Sequence, residues 1–176
     1  MEPLRDVFFW ATVATATIFL EVTVFISRRK KKKIVYALAG ISAIILFEVP
    51  RFIIPLLPQP KLELAFAKPL GLTIFVLGLA IMAIAFAQLM KARREEWKLQ
   101  TTGIYGIVRH PMYLGDILWA FGWSLTFRAL YALALTPLWL FLRYCLATLE
   151  EEKLMEKYLE YSDYMRRVKW RILPFI

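Results

Sequence analysis

Long apolar runs, separated by short polar or charged stretches, dominate the pattern of hydrophobic and polar positions along the chain. A helix needs about 20 predominantly apolar residues to cross the hydrocarbon core of a bilayer. The pattern therefore predicts an all-α integral membrane protein with five transmembrane helices. The predicted spans cover residues 7–26, 34–57, 70–90, 112–127 and 129–147. The polar segments are too short to bury a core of their own, so residues 1–176 are predicted to form a single membrane domain.

The last two predicted spans, 112–127 and 129–147, are separated only by Arg128. This spacing predicts a tight helical hairpin, followed by a charged and aromatic C-terminal helix or tail. A helix of 16 residues is about 24 Å long, which is slightly short of a full bilayer. We therefore expect the hairpin to pack deeply against the other helices.

Basic residues lie mainly on one side of the predicted arrangement. They are concentrated in 28–33, in 91–98, at Arg109 and in the tail. If the five helices alternate in direction, these segments share one side, which the positive-inside rule assigns to the cytoplasm. The N-terminus is then predicted to be outside and the C-terminus inside. No organelle signal is evident, which favours a prokaryotic cell membrane.

Composition excludes several classes of protein. Hydrophobic residues make up 60% of the chain, whereas soluble domains are usually about half apolar. The net charge of +9 alone would suggest a nucleic-acid partner, but this apolar content argues against one and favours membrane lipids. The chain has one histidine, His110, and one cysteine, Cys145, which argues against a metal site.

The segment between the third and fourth predicted spans carries the first candidate chemistry. Residues 103–113 read G-I-Y-G-I-V-R-H-P-M-Y. Pro111 is well suited to the first position of a helix. The free N–H groups that follow it, with Arg109 and His110 beside them, can hold a carboxylate or a phosphate. The alternative is a basic interface loop that precedes a membrane helix.

An acidic and aromatic segment forms the second candidate. Three consecutive glutamates, Glu150 to Glu152, are followed by Tyr158, Tyr161 and Tyr164. Consecutive carboxylates near a helix C-terminus are unfavourable, so a cationic partner or one rich in hydroxyl groups is expected to compensate them. The alternative is a solvated helix whose glutamates pair with nearby lysines.

Charged residues inside the apolar runs are costly and are therefore functional candidates. Asp116 follows Pro111 by five residues and is predicted to hold or deprotonate an amine headgroup; a polar cap near the interface is the alternative. Glu48 and Arg51 flank Pro50 at i,i+3 spacing, which favours pairing between them over a role in a tunnel for an acceptor molecule.

Together, the two candidate segments follow one pattern: G-x-Y-x-x-x-R-H-P-x-Y, a later glycine, E-E-x-x-L, and an aromatic tail ending near R-x-x-P. This pattern resembles that of the isoprenylcysteine carboxyl methyltransferase and phospholipid methyltransferase superfamily of integral membrane enzymes, over roughly residues 70–176. The matching residues are Gly103, Tyr105, Arg109, His110, Pro111, Tyr113, Gly115, Gly122, Glu150, Glu151, Leu154, Tyr161, Tyr164, Arg171 and Pro174.

The resemblance implies a methyltransferase that uses S-adenosylmethionine and releases S-adenosylhomocysteine. It implies a cytoplasmic cofactor site built from residues 91–113 and 148–176. The expected cofactor-binding residues are Tyr105, Arg109, His110, Pro111, Met112, Tyr113, Glu150, Glu151 and Tyr161. Catalytic roles are expected for Arg109, Asp116 and Glu151.

The implied reaction is a direct displacement onto a lipophilic acceptor. Candidate acceptors are a phospholipid amine, a prenylcysteine carboxylate and a small lipophilic acid or thiol. Two alternatives stay open: a nicotinamide-dependent reductase similar to the sterol reductases, and a non-catalytic membrane subunit. Sterol reductases are larger and have more spans, which argues against the first. The residues leave the oligomeric state open.

Overall fold

A computed structural model describes residues 6–26, 48–94 and 98–174, and within these ranges the chain is helical and forms no β-strand. Residues 48–53 are helical and lead into a 3₁₀ turn at Ile54–Leu56, and a second 3₁₀ turn spans Gly103–Gly106. The main helices are α1 (Val7–Ile26), α2 (Ala67–Arg94), α3 (Pro111–Thr126), α4 (Leu130–Lys157) and α5 (Tyr161–Arg167).

Two of these helices, α2 and α4, are long and apolar enough to cross a membrane. In α2 only 17% of the apolar window is buried within the protein, and side chains such as Leu72, Val76 and Phe86 are exposed. Soluble monomers rarely expose apolar surface of this extent. The helical membrane class is therefore supported.

Two of the five predicted membrane spans are supported by the structure. The predicted span 70–90 lies within α2, and α4 contains the predicted span 129–147 except for its first residue, Ala129. Residues 34–47 of the second predicted span lie outside the described residues. Helix α1 coincides with the predicted first span, and α3 differs from the predicted 112–127 by one residue at each end. A total of five membrane spans stays a prediction.

Helices α2 and α3 pack closely because glycines face each other at two levels, two helical turns apart. Gly71 lies against Gly122, and Gly78 lies against Gly115. A Cβ atom added to Gly71 would lie 2.7 Å from the carbonyl oxygen of Gly122, and one added to Gly115 would lie 2.7 Å from that of Gly78. Small residues of this kind allow helix backbones to approach closely in membranes. The glycines thus determine how α3 is rotated against α2.

The predicted hairpin is present: α3 ends at Thr126 and α4 begins at Leu130. The turn contains Arg128 with a φ of 57°, an uncommon conformation for a residue other than glycine. The backbone N–H of Leu62 donates to the carbonyl of Arg128 over 2.8 Å and ties the loop after residue 60 to this turn. The hairpin turn is therefore held at the end of the bundle opposite the start of α3.

Helix α4 continues ten residues beyond the predicted span, to Lys157, so the three glutamates lie on a helix. After α5 the chain returns to the start of α3. The N–H groups of Arg109 and His110 donate to the carbonyls of Trp170 and Arg171, over 2.9 and 2.8 Å. The C-terminal segment is thereby fastened beside the R-H-P motif.

Candidate functional site

A cavity of about 380 Å³ lies where the end of α2, the loop before α3, the end of α4 and helix α5 meet. This volume is within the range of about 300–1,000 Å³ typical of small-molecule sites. The cavity is lined by eight of the nine predicted cofactor residues: Tyr105, Arg109, His110, Pro111, Met112, Tyr113, Glu150 and Tyr161. The ninth, Glu151, lies behind the wall, where its side chain is 2% exposed.

The loop that carries the R-H-P motif is positioned by α2. Gly103 has a φ of +64°, which glycine adopts at no steric cost, and it lies against the side chain of Gln88. The Gln88 Oε1 atom accepts from the N–H of Ile104 over 3.2 Å. The chain then makes a single 3₁₀ turn and reaches Pro111, where α3 begins. The first residues of α3, Pro111 to Tyr113, line the cavity. The first N–H groups of a helix have no partner within the helix.

Arg109, His110, Glu151 and Arg171 form what we call the cavity-edge cluster. Glu151 accepts from Arg109 Nε on Oε1 over 2.6 Å and from Arg171 Nε on Oε2 over 2.9 Å. The His110 Nε2 atom lies 3.2 Å from Glu151 Oε1. A carboxylate with an arginine on each oxygen holds the C-terminal segment against α4. Catalytic roles for Arg109 and Glu151 stay predictions.

Arg109 also ties the C-terminal segment to the loop directly. Its Nη1 atom donates to the carbonyls of Val168 and Lys169, over 2.7 and 2.8 Å. Together with the bond to Glu151, these contacts use donors on two sides of the guanidinium. Arg109 therefore orders this wall of the cavity.

His110, Tyr113 and Glu150 form a polar wall of the cavity. The rings of His110 and Tyr113 stack with centroids 5.5 Å apart and an angle of 9° between planes. The Tyr113 hydroxyl donates to Glu150 Oε2 over 3.0 Å, and His110 Nδ1 lies 3.7 Å from the same oxygen. The Glu150 side chain is 43% exposed. Of the two adjacent glutamates, Glu150 is thus the one that a ligand can reach.

Three tyrosines, Tyr105, Tyr161 and Tyr164, also line the cavity. Tyr164 donates its hydroxyl to the carbonyl of Tyr105 over 2.7 Å. The Tyr161 hydroxyl is buried and has no hydrogen-bond partner among the described residues. A buried hydroxyl without a partner costs about 1–3 kcal/mol. Tyr161 lines the cavity, and its hydroxyl is a donor that the described residues do not use.

The same tyrosines stay protonated over a wide pH range. Burial raises the pKa of Tyr105 to about 12. The pKa of Tyr161 is raised further by burial and by the nearby Glu151 carboxylate. For Tyr164, burial raises the pKa although Arg109 opposes the shift. The three hydroxyls therefore act as hydrogen-bond donors at neutral pH.

Several cavity residues escaped the sequence analysis. Arg93 lies at the end of α2 and Lys98 in the loop that follows, and both line the cavity. Their segment was expected to contribute to the cofactor site, but neither residue was named as a candidate. Tyr164 also lines the cavity, and its place in the aromatic tail pattern was the available signal.

Asp116 does not line this cavity. Its Oδ1 accepts from Arg51 over 2.8 Å and its Oδ2 from Arg143 over 3.0 Å. Trp119 Nε1 donates to Oδ1 over 3.2 Å. Asp116 is 4% exposed, and its predicted role with an amine headgroup stays a prediction.

Glu48 completes what we call the buried charge cluster, formed by Glu48, Arg51, Asp116 and Arg143. The predicted pairing is confirmed, since Arg51 Nη1 lies 3.1 Å from Glu48 Oε2. Arg143 Nη2 lies 2.7 Å from Glu48 Oε1. The cluster holds two acids and two bases, so opposite charges balance in a largely apolar environment.

Comparison with known proteins finds one matching family model and several similar proteins. The family model described as phospholipid methyltransferase matches residues 66–162, more than half of the chain. Protein-S-isoprenylcysteine O-methyltransferase B of Arabidopsis thaliana is 43% identical over 60 residues, which cover 30% of this chain and 30% of that protein.

Two reductases are also similar to the chain. Delta(14)-sterol reductase TM7SF2 of Mus musculus is 33% identical over 86 residues, 45% of this chain and 20% of its own. Delta(14)-sterol reductase of Arabidopsis thaliana is 37% identical over 89 residues, 45% of this chain and 22% of its own. The matched segments thus span less than a third of each curated relative. No solved structure matches.

Proposed function

The chain belongs to the phospholipid methyltransferase family, and from this premise we propose that it transfers a methyl group from S-adenosylmethionine to a lipophilic acceptor. The observation that carries the proposal is the cavity, because its wall combines an exposed glutamate, a histidine and a buried hydroxyl without a partner. His110, Glu150 and Tyr161 all lie in the segment that matches the family.

The residues of the cavity fit the polar groups of S-adenosylmethionine. The start of α3, with His110 beside it, suits the carboxylate of the cofactor. Glu150 suits its ammonium group or the ribose hydroxyls, as a charged hydrogen-bond acceptor. Tyr161 offers a donor to a nitrogen or oxygen of the cofactor. When bound, S-adenosylmethionine supplies a methyl group that its sulfonium already activates.

The protein's contribution is mainly to bind, orient and exclude water. A methyl group on a sulfonium needs no acid to activate it, so alignment of the acceptor and a dry pocket account for catalysis. Tyr105, Tyr161 and Tyr164 are protonated and serve as donors. A carboxylate or thiolate acceptor needs no base, whereas an amine acceptor must be neutral when it attacks.

A second cavity supports a lipophilic acceptor. It has a volume of about 640 Å³, and Arg109 lines it as well as the first cavity. Its apolar floor follows one face of α4, and Lys169 and Arg171 lie at its other side. An apolar groove beside basic groups suits an amphiphile, such as a phospholipid, a prenylcysteine or a small lipophilic acid or thiol.

We further propose that the cavity faces the cytoplasm of a prokaryotic cell. Basic residues crowd the cavity end of the bundle, including Lys91, Arg93 and Arg94 in the last turn of α2. The positive-inside rule assigns this end to the cytoplasm. The cofactor then enters from water, and the acceptor enters from the membrane.

A nicotinamide-dependent reduction is the second candidate, because two of the similar proteins are sterol reductases. Their matched segments are longer than that of the methyltransferase but less identical to this chain. A nicotinamide dinucleotide that binds the cavity more tightly than S-adenosylhomocysteine would favour this candidate.

The test is calorimetric titration of the detergent-purified full chain with S-adenosylmethionine and S-adenosylhomocysteine. We expect both to bind, and His110→Ala to weaken binding, because His110 lies in the cavity wall. Asp163→Ala is the matched control, since Asp163 pairs with Arg166 on the exposed surface. Transfer of labelled methyl groups into lipid extracts would then identify the acceptor.

Failure of the folded protein to bind either compound would contradict the proposal. Equal loss of binding in His110→Ala and Asp163→Ala would contradict the site. If the protein binds a nicotinamide dinucleotide but neither S-adenosyl compound, the reductase function is favoured.

A further inference from the structure

We propose that Arg143 is a positioning residue for the cavity, which it links to the buried charge cluster through the ring of Tyr113. The inference deepens the proposed function, and its consequence for cofactor binding rests on that function. Arg143 lies on α4 and does not line the cavity. Its effect is therefore transmitted through Tyr113 to His110 and Glu150.

The orientation of Arg143 is determined by two carboxylates. Its Nε donates to Asp116 Oδ2 over 3.0 Å, and its Nη2 donates to Glu48 Oε1 over 2.7 Å. The side chain is 10% exposed. A guanidinium is planar, so two contacts on different nitrogens determine the direction of the whole group. A rotation of Arg143 would separate it from two carboxylates in an environment with little water.

The same guanidinium lies beside Tyr113. The Arg143 Cζ atom is 5.4 Å from the centroid of the Tyr113 ring, within the range of cation–π attraction. Tyr113 in turn stacks on His110 and donates its hydroxyl to Glu150. A chain of direct contacts therefore runs from the buried charge cluster to two polar groups of the cavity wall.

Arg51 is a natural control for this assignment. It binds Glu48 and Asp116, as Arg143 does, and is 2% exposed. Its guanidinium, however, lies 5.3 and 5.6 Å from the rings of Trp119 and Trp139, which do not line the cavity. A substitution at Arg51 therefore perturbs the charge cluster beside two rings that are not part of the cavity wall.

The single histidine of the chain provides a readout that needs no ligand. The full chain, carrying isotope-labelled histidine and an affinity tag without histidine, yields the ring resonances of His110 alone. We expect Arg143→Lys to shift these resonances, because the stacked Tyr113 ring moves and its ring current with it. Arg51→Lys is expected to leave them in place, although both variants alter the same cluster.

Cofactor binding is the second readout. We expect the Kd for S-adenosylhomocysteine to rise about tenfold in Arg143→Lys, because a lysine ammonium lacks the planar guanidinium that contacts both carboxylates and the Tyr113 ring together. In Arg51→Lys it should change by less than about twofold. In the Tyr113→Leu background, Arg143→Lys should have no further effect, because the link is already broken.

Several outcomes decide the inference. Equal His110 shifts in Arg143→Lys and Arg51→Lys, or no shift in either, would overturn it. If Arg143→Lys does not fold, the charge-balanced Glu48→Gln/Arg143→Gln variant, which removes one acid and one base, replaces it with the same expectation. If the wild type fails to bind S-adenosylhomocysteine, the proposed function fails, yet the His110 resonances still decide the positioning role.

Discussion

The cavity-edge cluster and the buried charge cluster share one motif, a buried carboxylate with an arginine on each oxygen. Glu151 lies between Arg109 and Arg171, as Asp116 lies between Arg51 and Arg143. The two clusters differ in what else surrounds the carboxylate. Asp116 has a second acid, Glu48, and a tryptophan N–H, whereas Glu151 has His110 and a cavity.

This difference distinguishes the buried charge cluster, whose charges balance one another, from the cavity-edge cluster, which borders a candidate ligand site. Around Asp116, two acids balance two arginines. Around Glu151, one acid faces two arginines and a histidine. Nearby, the Glu150 side chain is 43% exposed, and the buried Tyr161 hydroxyl has no partner among the described residues. Buried ion pairs need hydrogen bonds to their remaining polar atoms. In the first cluster Trp119 and the second acid supply several of them, and in the second we expect the ligand to supply some.

The largest expected loss of stability follows a substitution in the buried charge cluster. Asp116→Ala leaves Arg51 and Arg143 without their shared carboxylate, and loss of one partner of a buried pair costs about 3–5 kcal/mol. Denaturant unfolding of the full chain in detergent measures this loss. Asp163→Ala, which breaks an exposed pair, should leave the unfolding midpoint unchanged. A midpoint for Asp116→Ala equal to that of the wild type would show that the two clusters do not differ as described.

A smaller loss of stability is expected for a substitution in the cavity-edge cluster. Glu151→Gln removes the charge that Arg109 and Arg171 share but keeps an acceptor oxygen, so we expect about 2 kcal/mol of lost stability. The C-terminal segment after Val168 should also become more sensitive to limited proteolysis, because it loses part of its attachment to α4.

Glu150→Gln is the matched control for this substitution. The Glu150 side chain is partly exposed, and it accepts a hydrogen bond from the neutral hydroxyl of Tyr113. Its stability should stay close to that of the wild type. Equal proteolysis of the two variants would argue against an attachment through Glu151.

Alkaline pH is expected to destabilise the cavity end selectively. The pKa of Tyr105 is raised from 10.0 to about 12, and those of Tyr161 and Tyr164 are raised too, so the folded state holds protons that the unfolded state has released. Stability from these tyrosines is complete below pH 10 and falls as the pH rises from 10 toward 12. Unfolding followed at several pH values, with tyrosinate absorbance, measures the slope.

The matched variant is Tyr105→Phe, which should make this slope less steep. An unchanged slope in Tyr105→Phe would contradict a contribution of Tyr105 to the alkaline loss of stability.

The smallest and sharpest contrast lies between two neighbouring tyrosines of α5. Tyr164→Phe removes a hydrogen bond to the carbonyl of Tyr105 and should cost about 1 kcal/mol of stability. Tyr161→Phe removes a hydroxyl without a partner among the described residues, so stability should not fall. Binding of S-adenosylhomocysteine should follow the reverse order, about fivefold weaker in Tyr161→Phe and unchanged in Tyr164→Phe. Loss of stability in Tyr161→Phe with unchanged binding would contradict a ligand-facing hydroxyl.

Local contacts were predictable from the sequence. The i,i+3 spacing of Glu48 and Arg51 predicted their ion pair, because such residues lie on the same face of a helix. The single residue between two apolar runs predicted the α3–α4 hairpin, and Pro111 predicted the start of α3. Each of these inferences concerns residues within a few turns of one another.

Contacts between distant residues were not predictable. From the sequence, Asp116 was expected to contact the acceptor. Its partners Arg51, 65 residues earlier, and Arg143, 27 residues later, could not be identified from the sequence. For the same reason, the sequence could not predict that the Tyr161 hydroxyl has no hydrogen-bond partner among the described residues. Only the packed structure shows which polar groups are already satisfied.

The sequence by itself determined the apolar helices, the hairpin and the motif residues that meet at one end of the bundle. The tertiary structure decided which of two adjacent glutamates faces the cavity. Consecutive residues of a helix point about 100° apart, so the rotation of α4 directs Glu150 to the cavity and Glu151 to the arginines. That rotation follows from packing between helices, which no local pattern of residues records.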